Sequence, residues 1–314
     1  MCAKFNSRYE QPDQEVLRNT LIVSARGGYS IKGLKDLGYR VEPPYKKASL
    51  AKRVIREGWF KLGFPEGVWY ADFRGLPCDI IVHDPLITRN FLLSLQERFP
   101  GAKIHYLYWN LVGRARHLLP KCVPDFVTKW TYDKRDAEEY DLRLLDSLGY
   151  PTMYIRDHKR QDIDLLFVGS DKGRAETILG LRDRLERDGF KVDFRIMPDG
   201  RFSRWRSFYS APMDYEEIAD LISRSKAILN VCLPGQSGAT LRDYESVFNR
   251  VKLVTNNSNI ASFPFYKSEN VLLLGTFSAP ELRAFLDSPF VPIEDEVLKK
   301  CALNAHIEQI VKSS

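Results

Sequence analysis

The sequence predicts an α/β protein with two parallel-sheet domains, and three observations carry that prediction. Short apolar runs alternate with longer amphipathic segments along most of the 314-residue chain. That alternation belongs to βαβ units, whose parallel strands are covered by helices on both faces. The plan also occurs twice. Leu21-Ile22-Val23-Ser24 runs into Gly27-Gly28, a short helix, Gly38 and then Arg40-Val41, while Phe167-Val168 runs into Gly169 and Gly173, a longer helix, Gly189 and then Lys191-Val192. Gly38 and Gly189 stand where a helix ends in left-handed backbone. Finally, the length is long for one hydrophobic core and comfortable for two.

Strands are expected over residues 20–24, 79–83, 103–108 and 126–130 in the first half, and over 164–168, 191–196, 226–231, 251–255 and 271–274 in the second. The charged stretch between Thr131 and Gln161 carries Pro151 and holds the boundary. The reading is a domain over 1–155, a second over 156–288, and a helical tail over 289–314 that crosses back to the first. Ligands of open α/β sheets lie at the carboxyl ends of the strands, so the two sheets are expected to face each other across a cleft.

Composition excludes several classes. Residues 1–19 are polar and mixed in charge, and no apolar run approaches the ~20 residues needed to span a bilayer. The five cysteines are scattered without a Cys-x-x-Cys pair, so neither a zinc site nor a disulfide framework is signalled. A reducing cytoplasm is the expected location. No His-x-x-x-His or His-Glu-x-x-His pattern points to a metal. The net charge is +6, and between Lys32 and Lys61 nine Lys/Arg face three Asp/Glu, an excess as large as that of the whole chain. The 32–61 segment reads as a solvated helix face or as a surface for anionic lipid or a phosphate-bearing acceptor. No nucleic-acid-binding motif accompanies the charge. Residues 201–209 interleave Arg201, Arg204 and Arg206 with Phe202, Trp205, Phe208 and Tyr209. This reads as a packed loop, as a contact for a membrane interface or a lipid-linked acceptor, or as a surface that stacks nucleobases.

Two constellations in the second half suit a diphosphate. In the 169–174 loop, Gly169 and Gly173 permit close backbone approach. Lys172 supplies a point charge and Arg174 a planar fork for phosphate oxygens. A helix starting near Ala175 adds its positive end. The Gly-x-x-x-x-Gly-Lys-Ser/Thr spacing of a Walker loop is absent. In the 234–245 stretch, Gly235, Gln236, Ser237 and Gly238 form a small-residue loop, and a helix starts near Ala239 or Thr240 with amides suited to an anion. Arg242 meets phosphate or pairs with a local acid, and Glu245 is placed to accept from ribose hydroxyls. Asn256 and Asn257 end the strand over 251–255 and read as ligand contacts or as a turn.

In the first half, His83-Asp84 and Trp109-Asn110 follow strand-like runs, which puts them on the cleft side. His83 or Asp84 is the candidate general base. Gly27 and Gly28, with Trp109 and Asn110, are placed on the acceptor side.

Tyr108-Trp109-Asn110, the 130–140 stretch from Trp130 to Tyr140, and segments 167–174, 236–245 and 252–256 together resemble glycosyltransferases of the GT-B fold. More closely, they resemble bacterial lipopolysaccharide and capsular polysaccharide biosynthesis proteins. The resemblance runs from about residue 100 to 260 and implies two Rossmann-like domains, the second holding a nucleotide-sugar donor. It implies that Lys172 and Arg174 neutralise the donor diphosphate, that the 235–238 loop and following helix cradle phosphate, and that Glu245 holds the ribose. The donor is a substrate, and no cofactor is implied. Many retaining members carry a second glutamate ahead of this one, where the present chain has Ser237. The expected activity is metal-independent sugar transfer to a glycan or lipid-linked acceptor, at the inner face of a membrane, in surface polysaccharide synthesis. A nucleotide-sugar epimerase or hydrolase would turn over donor without acceptor. A non-catalytic nucleotide-sugar or glycan-binding protein would bind without turnover.

Overall fold

The structure, a computed structural model, describes residues 8–25, 27–113, 118–158, 160–199, 206–275 and 277–313. Its contacts divide the chain into two units, one formed by 2–151 with 300–314 and the other by 152–299.

The first unit holds β1 (Thr20–Ser24), β2 (Arg40–Glu42), β3 (Asp79–His83), β4 (Lys103–Tyr108), β5 (Val127–Thr131) and β6 (Arg143–Leu144), with helices α1 (Gln14–Asn19), α2 (Tyr29–Asp36), α3 (Leu50–Lys61), α4 (Arg89–Arg98) and α5 (Lys134–Tyr140). Its strands pair in the order β2-β1-β3-β4-β5-β6, every pair parallel. Successive residues of a strand point to opposite faces, and both faces are covered. Leu21, Val23, Ile80, Val82, Tyr106 and Tyr108 enter one apolar cluster. Ile22, Ile81, Leu107 and Trp130 enter the other. β5 starts one residue later than expected because Phe126 is exposed rather than paired. β6 has two exposed residues, so no apolar run marks it in the sequence.

The second unit holds β7 (Ile163–Ser170), β8 (Val192–Met197), β9 (Ser225–Asn230), β10 (Lys252–Thr255) and β11 (Val271–Leu273), with α6 (Ala175–Arg187), α7 (Tyr215–Ser223), α8 (Leu241–Asn249), α9 (Ala279–Asp287) and α10 (Asp295–Lys300). The order is β11-β10-β9-β7-β8, again all parallel. Leu165, Phe167, Ala227 and Leu229 face one cluster, while Leu166, Val168 and Ile228 face the other with α7.

Helix α11 (Leu303–Lys312) belongs to the first unit. Leu303, Ile307 and Ile310 are fully buried against Ile22, Leu34 and Val16. Gly33 on α2 makes this docking fit: a Cβ there would stand 2.6 Å from Leu303 Cδ2 and 2.9 Å from Pro151 Cβ. Tyr150 donates its amide to the Cys301 carbonyl at 2.9 Å and anchors the start of the returning segment. Gly33→Ala is therefore expected to cost about 1–3 kcal/mol through overpacking, read as a lower urea midpoint with an unchanged slope.

Candidate functional site

In the second unit β7 ends at Ser170 and Asp171 turns the chain into α6. Asp171 Oδ1 accepts from the Ala175 amide at 2.8 Å, and Oδ2 accepts from the Tyr209 hydroxyl at 2.5 Å. Lys172 and Gly173 take left-handed backbone, φ 47° and 79°. The Lys172 amide donates to Asp199 at 2.5 Å, and the residue is exposed.

Arg174 folds back over the strand ends. Its guanidinium donates to the Val231 carbonyl just past β9 and to the Ser170 carbonyl at 3.2 Å. It lies 5.5 Å from the centre of the Phe167 ring. A Cβ on Gly169 would stand 3.3 Å from Arg174 Nη2 and 3.1 Å from Phe167 Cζ, so this glycine leaves room for the cation. Both guanidinium bonds go to carbonyls, and among the described residues Arg174 has no ion pair. Burial lowers its pKa, and the Arg242 charge acts in the same direction. Arg174 thus ties the 169–174 loop to the chain just past β9, ahead of the 234–245 stretch.

After β9 the chain turns at Gly235, φ 81°. The Gln236 amide donates to the Leu233 carbonyl at 3.0 Å, and Gln236 Oε1 accepts from the Leu233 amide at 3.2 Å. Ser237 and Gly238 lead from this turn to Thr240, which caps α8. Thr240 Oγ1 accepts from the Arg242 amide at 3.2 Å, and Asp243 Oδ2 accepts from the Thr240 amide at 2.6 Å. Asn230 donates to Asp243 Oδ1 at 2.8 Å and ties the helix start to the end of β9.

Glu245 departs from expectation. It is fully buried, its Oε1 accepts from the Tyr215 hydroxyl, and its Oε2 pairs with Arg242. In this structure Glu245 holds Arg242 and Tyr215. Burial raises Glu245 to about 7 and Asp243 to about 6. The Asn256 amide is likewise committed. Its Oδ1 accepts from the Cys232 amide at 2.6 Å and its Nδ2 donates to the Cys232 carbonyl at 3.5 Å, so it shapes the loop after β9.

In the first unit a cavity of about 200 Å³ is lined by Gly27, Gly28, Ser30, His83, Asp84, Trp109 and Asn110, among others. The amide end of α2 opens on it, with no side-chain cap at Gly28. Asp84 Oδ1 accepts from the Trp109 amide at 2.8 Å. His83 stacks on Trp109 at 5.2 Å, and His306 of α11 meets the same indole at 5.8 Å. Among the described residues, His83 Nε2 and both ring nitrogens of His306 are buried without hydrogen-bond partners. Burial pushes His83 down to about 4, and burial together with His83 pushes His306 down to about 3.

Sequence reading did not single out Tyr215, Asp199 or His306 for these sites. Each arrives from a distant segment, and no spacing marks it. Of the 201–209 stretch, residues 201–205 lie outside the described residues. Phe208 and Tyr209 contact each other at 4.4 Å and pack against the core of the second unit.

No protein-family profile and no curated protein sequence matches the chain. Among solved structures, it is similar to AviGT4, a glycosyltransferase involved in avilamycin A biosynthesis. That match has a TM-score of 0.54 and 16% identity and covers 94% of this chain and 96% of that one. A glycosyltransferase from Rickettsia africae matches with a TM-score of 0.51, 10% identity and coverage of 95% and 90%. The sucrose-phosphate synthase of Thermosynechococcus elongatus matches with 0.50, 12% identity and coverage of 94% and 98%. The fold is that of GT-B glycosyltransferases. The two parallel sheets, of six and five strands, match that architecture.

Two pH dependences follow for this GT-B chain without ligand. Glu245 titrates near 7 folded against 4.5 as a free side chain, so the folded state holds an extra proton between those values. Stability therefore falls as pH rises through that window, and the loss is complete above about 7. Glu245→Gln removes the effect. The stability gap between the two proteins is expected to shift by roughly 2–3 kcal/mol in favour of the variant from pH 4.5 to 8, and a gap independent of pH would refute the assignment. His83 and His306 act in the opposite sense, with folded values of about 4 and 3 below the free 6.5. The folded state then binds fewer protons, and stability is lost as pH falls below 6.5. His306→Leu is expected to flatten that acid limb in urea titrations between pH 6.5 and 4.

Proposed function

We propose that the protein is a glycosyltransferase moving a sugar from a nucleotide-sugar donor to a glycan or lipid-linked acceptor in surface polysaccharide synthesis. Arg174 carries this reading: a half-buried cation, bonded to carbonyls and, among the described residues, without a paired acid, stands where a βα loop meets the strand ends. A fixed cation in a low-dielectric site stabilises an anion more strongly than one in water does. Lys172 and the amide start of α8 supply further positive potential around it. In this reading the anion is a nucleoside diphosphate, and the chain's own cations stand in place of a metal ion.

Transfer breaks the bond between the anomeric carbon and the diphosphate oxygen, and the electron pair leaves with the diphosphate. Arg174 and Lys172 meet the added charge. The acceptor hydroxyl oxygen forms the new bond to the anomeric carbon. In an inverting transfer its proton passes to a protein base. His83, with its pKa near 4, is a weak base, and Asp84 is assigned the role. Glu245 acts by holding Arg242.

Calorimetric titration with UDP, GDP and ADP tests the donor half. The wild type is expected to bind at least one of them. Arg174→Ala is expected to weaken that binding by about 1.5–3 kcal/mol, the worth of a charged hydrogen bond, and Lys172→Ala by less because Lys172 is exposed. Failure of the wild type to bind any of the three would overturn the reading. Donor turnover without acceptor would make the protein a hydrolase or epimerase, and binding without turnover a binding protein.

A further inference from the structure

Helix α3 is turned the wrong way for a helix of a soluble domain. None of its residues is buried. Leu50 is 58%, Val54 64%, Ile55 58% and, just past its end, Leu62 73% exposed. At 3.6 residues per turn Leu50, Ala51, Val54, Gly58 and Leu62 share one face, with Ile55 at its margin. The opposite face is the one held to the unit. Phe60 meets Tyr45 at 5.5 Å, and the Arg56 guanidinium lies 4.3 Å over the same ring. The apolar surface continues beyond the helix. The segment after it folds back, with Trp59 Nε1 donating to the Pro65 carbonyl at 2.8 Å and Phe64 4.8 Å from the Trp59 ring. Phe64 is 47% exposed.

The charge around this helix is predominantly positive. Residues 46–61 carry Lys46, Lys47, Lys52, Arg53, Arg56 and Lys61 against Glu57 alone. Lys52, Arg53 and Lys61 are exposed; Lys61 falls within the apolar face, and Lys52 and Arg53 lie on the helix flanks nearer the packed side. Pairing α3 with the α3 of a second copy would press two such cationic surfaces together, so charge argues against a symmetric dimer through this face. A surface that is both apolar and anionic satisfies it. Apolar side chains would enter the acyl boundary, cations would meet headgroup phosphates, and Trp59 would sit at the interface level. Among the described residues no helix is long and apolar enough to cross a membrane.

We propose that α3 is an interfacial helix that docks the first unit on an anionic bilayer surface, lying in the plane of the headgroups. The proposal is independent of the nucleotide site, which calorimetry reads separately.

The test is co-sedimentation of the full chain with vesicles of equal parts phosphatidylcholine and phosphatidylglycerol, against vesicles of phosphatidylcholine alone. The chain is expected to bind the mixed vesicles and not the neutral ones, and to be released by raised salt. Val54→Asp with Ile55→Asp should weaken binding by at least about tenfold through lost apolar insertion. Lys52→Glu with Arg53→Glu should do the same through reversed charge, at roughly fivefold per cation. All four positions are exposed, and an unchanged thermal midpoint verifies the fold of each variant. Absence of binding to the mixed vesicles, or binding that both variants retain, would overturn the proposal. So would a wild-type dimer that Val54→Asp with Ile55→Asp converts to monomer, because the face would then belong to a second copy.

Discussion

Parallel pairing brings all strand ends of a sheet out at one edge, and each candidate site in this protein is assembled there. In the second unit the carbonyls of Ser170 and Val231 emerge side by side because β7 and β9 are neighbours. Arg174 reaches both. The guanidinium thereby links two loops that lie far apart in the chain, and a glycine at position 169 is the spatial condition for that link. In the first unit Ser24, His83 and Leu107 stand in register across β1, β3 and β4. The same edge therefore gathers the Gly27-Gly28 turn, His83-Asp84 and Trp109-Asn110 around one cavity.

Both sites carry buried ionisable groups, but with opposite consequences. Glu245 and Asp243 are buried acids whose ionisation is resisted by desolvation. Arg242 and Tyr215 offset part of that cost for Glu245 and are positioned by it in return. His83 and His306 are buried bases kept neutral, and their rings and the Trp109 indole form a three-ring cluster. The second unit places the cations Arg174 and Lys172 at the end of β7. The first unit offers a neutral wall with one carboxylate, Asp84, beside it.

The helices divide by what covers their apolar faces. α7 buries Ile218, Leu221 and Ile222 against the sheet, and α11 buries Leu303, Ile307 and Ile310. α3 leaves Leu50, Val54 and Ile55 in solvent. The sequence pattern of all three is amphipathic, so periodicity alone does not separate a helix that packs inward from one that faces outward.

The alternating apolar runs are enough to specify parallel sheets, because strands buried on both faces leave that pattern directly. They place most strands to within a residue or two. The glycines and cations of 169–174 and the capped helix start at Thr240 were legible for the same reason: loop and cap chemistry is local. The two-residue strand β6 was not, because its side chains are exposed and carry no pattern. Whether Glu245 faces a ligand or a neighbour was decided by Tyr215, and what stands behind His83 was decided by His306. Both arrive through tertiary packing. A sequence lists which groups are ionisable and which segments repeat, but desolvation depends on what packs around a group, and only the folded chain determines that.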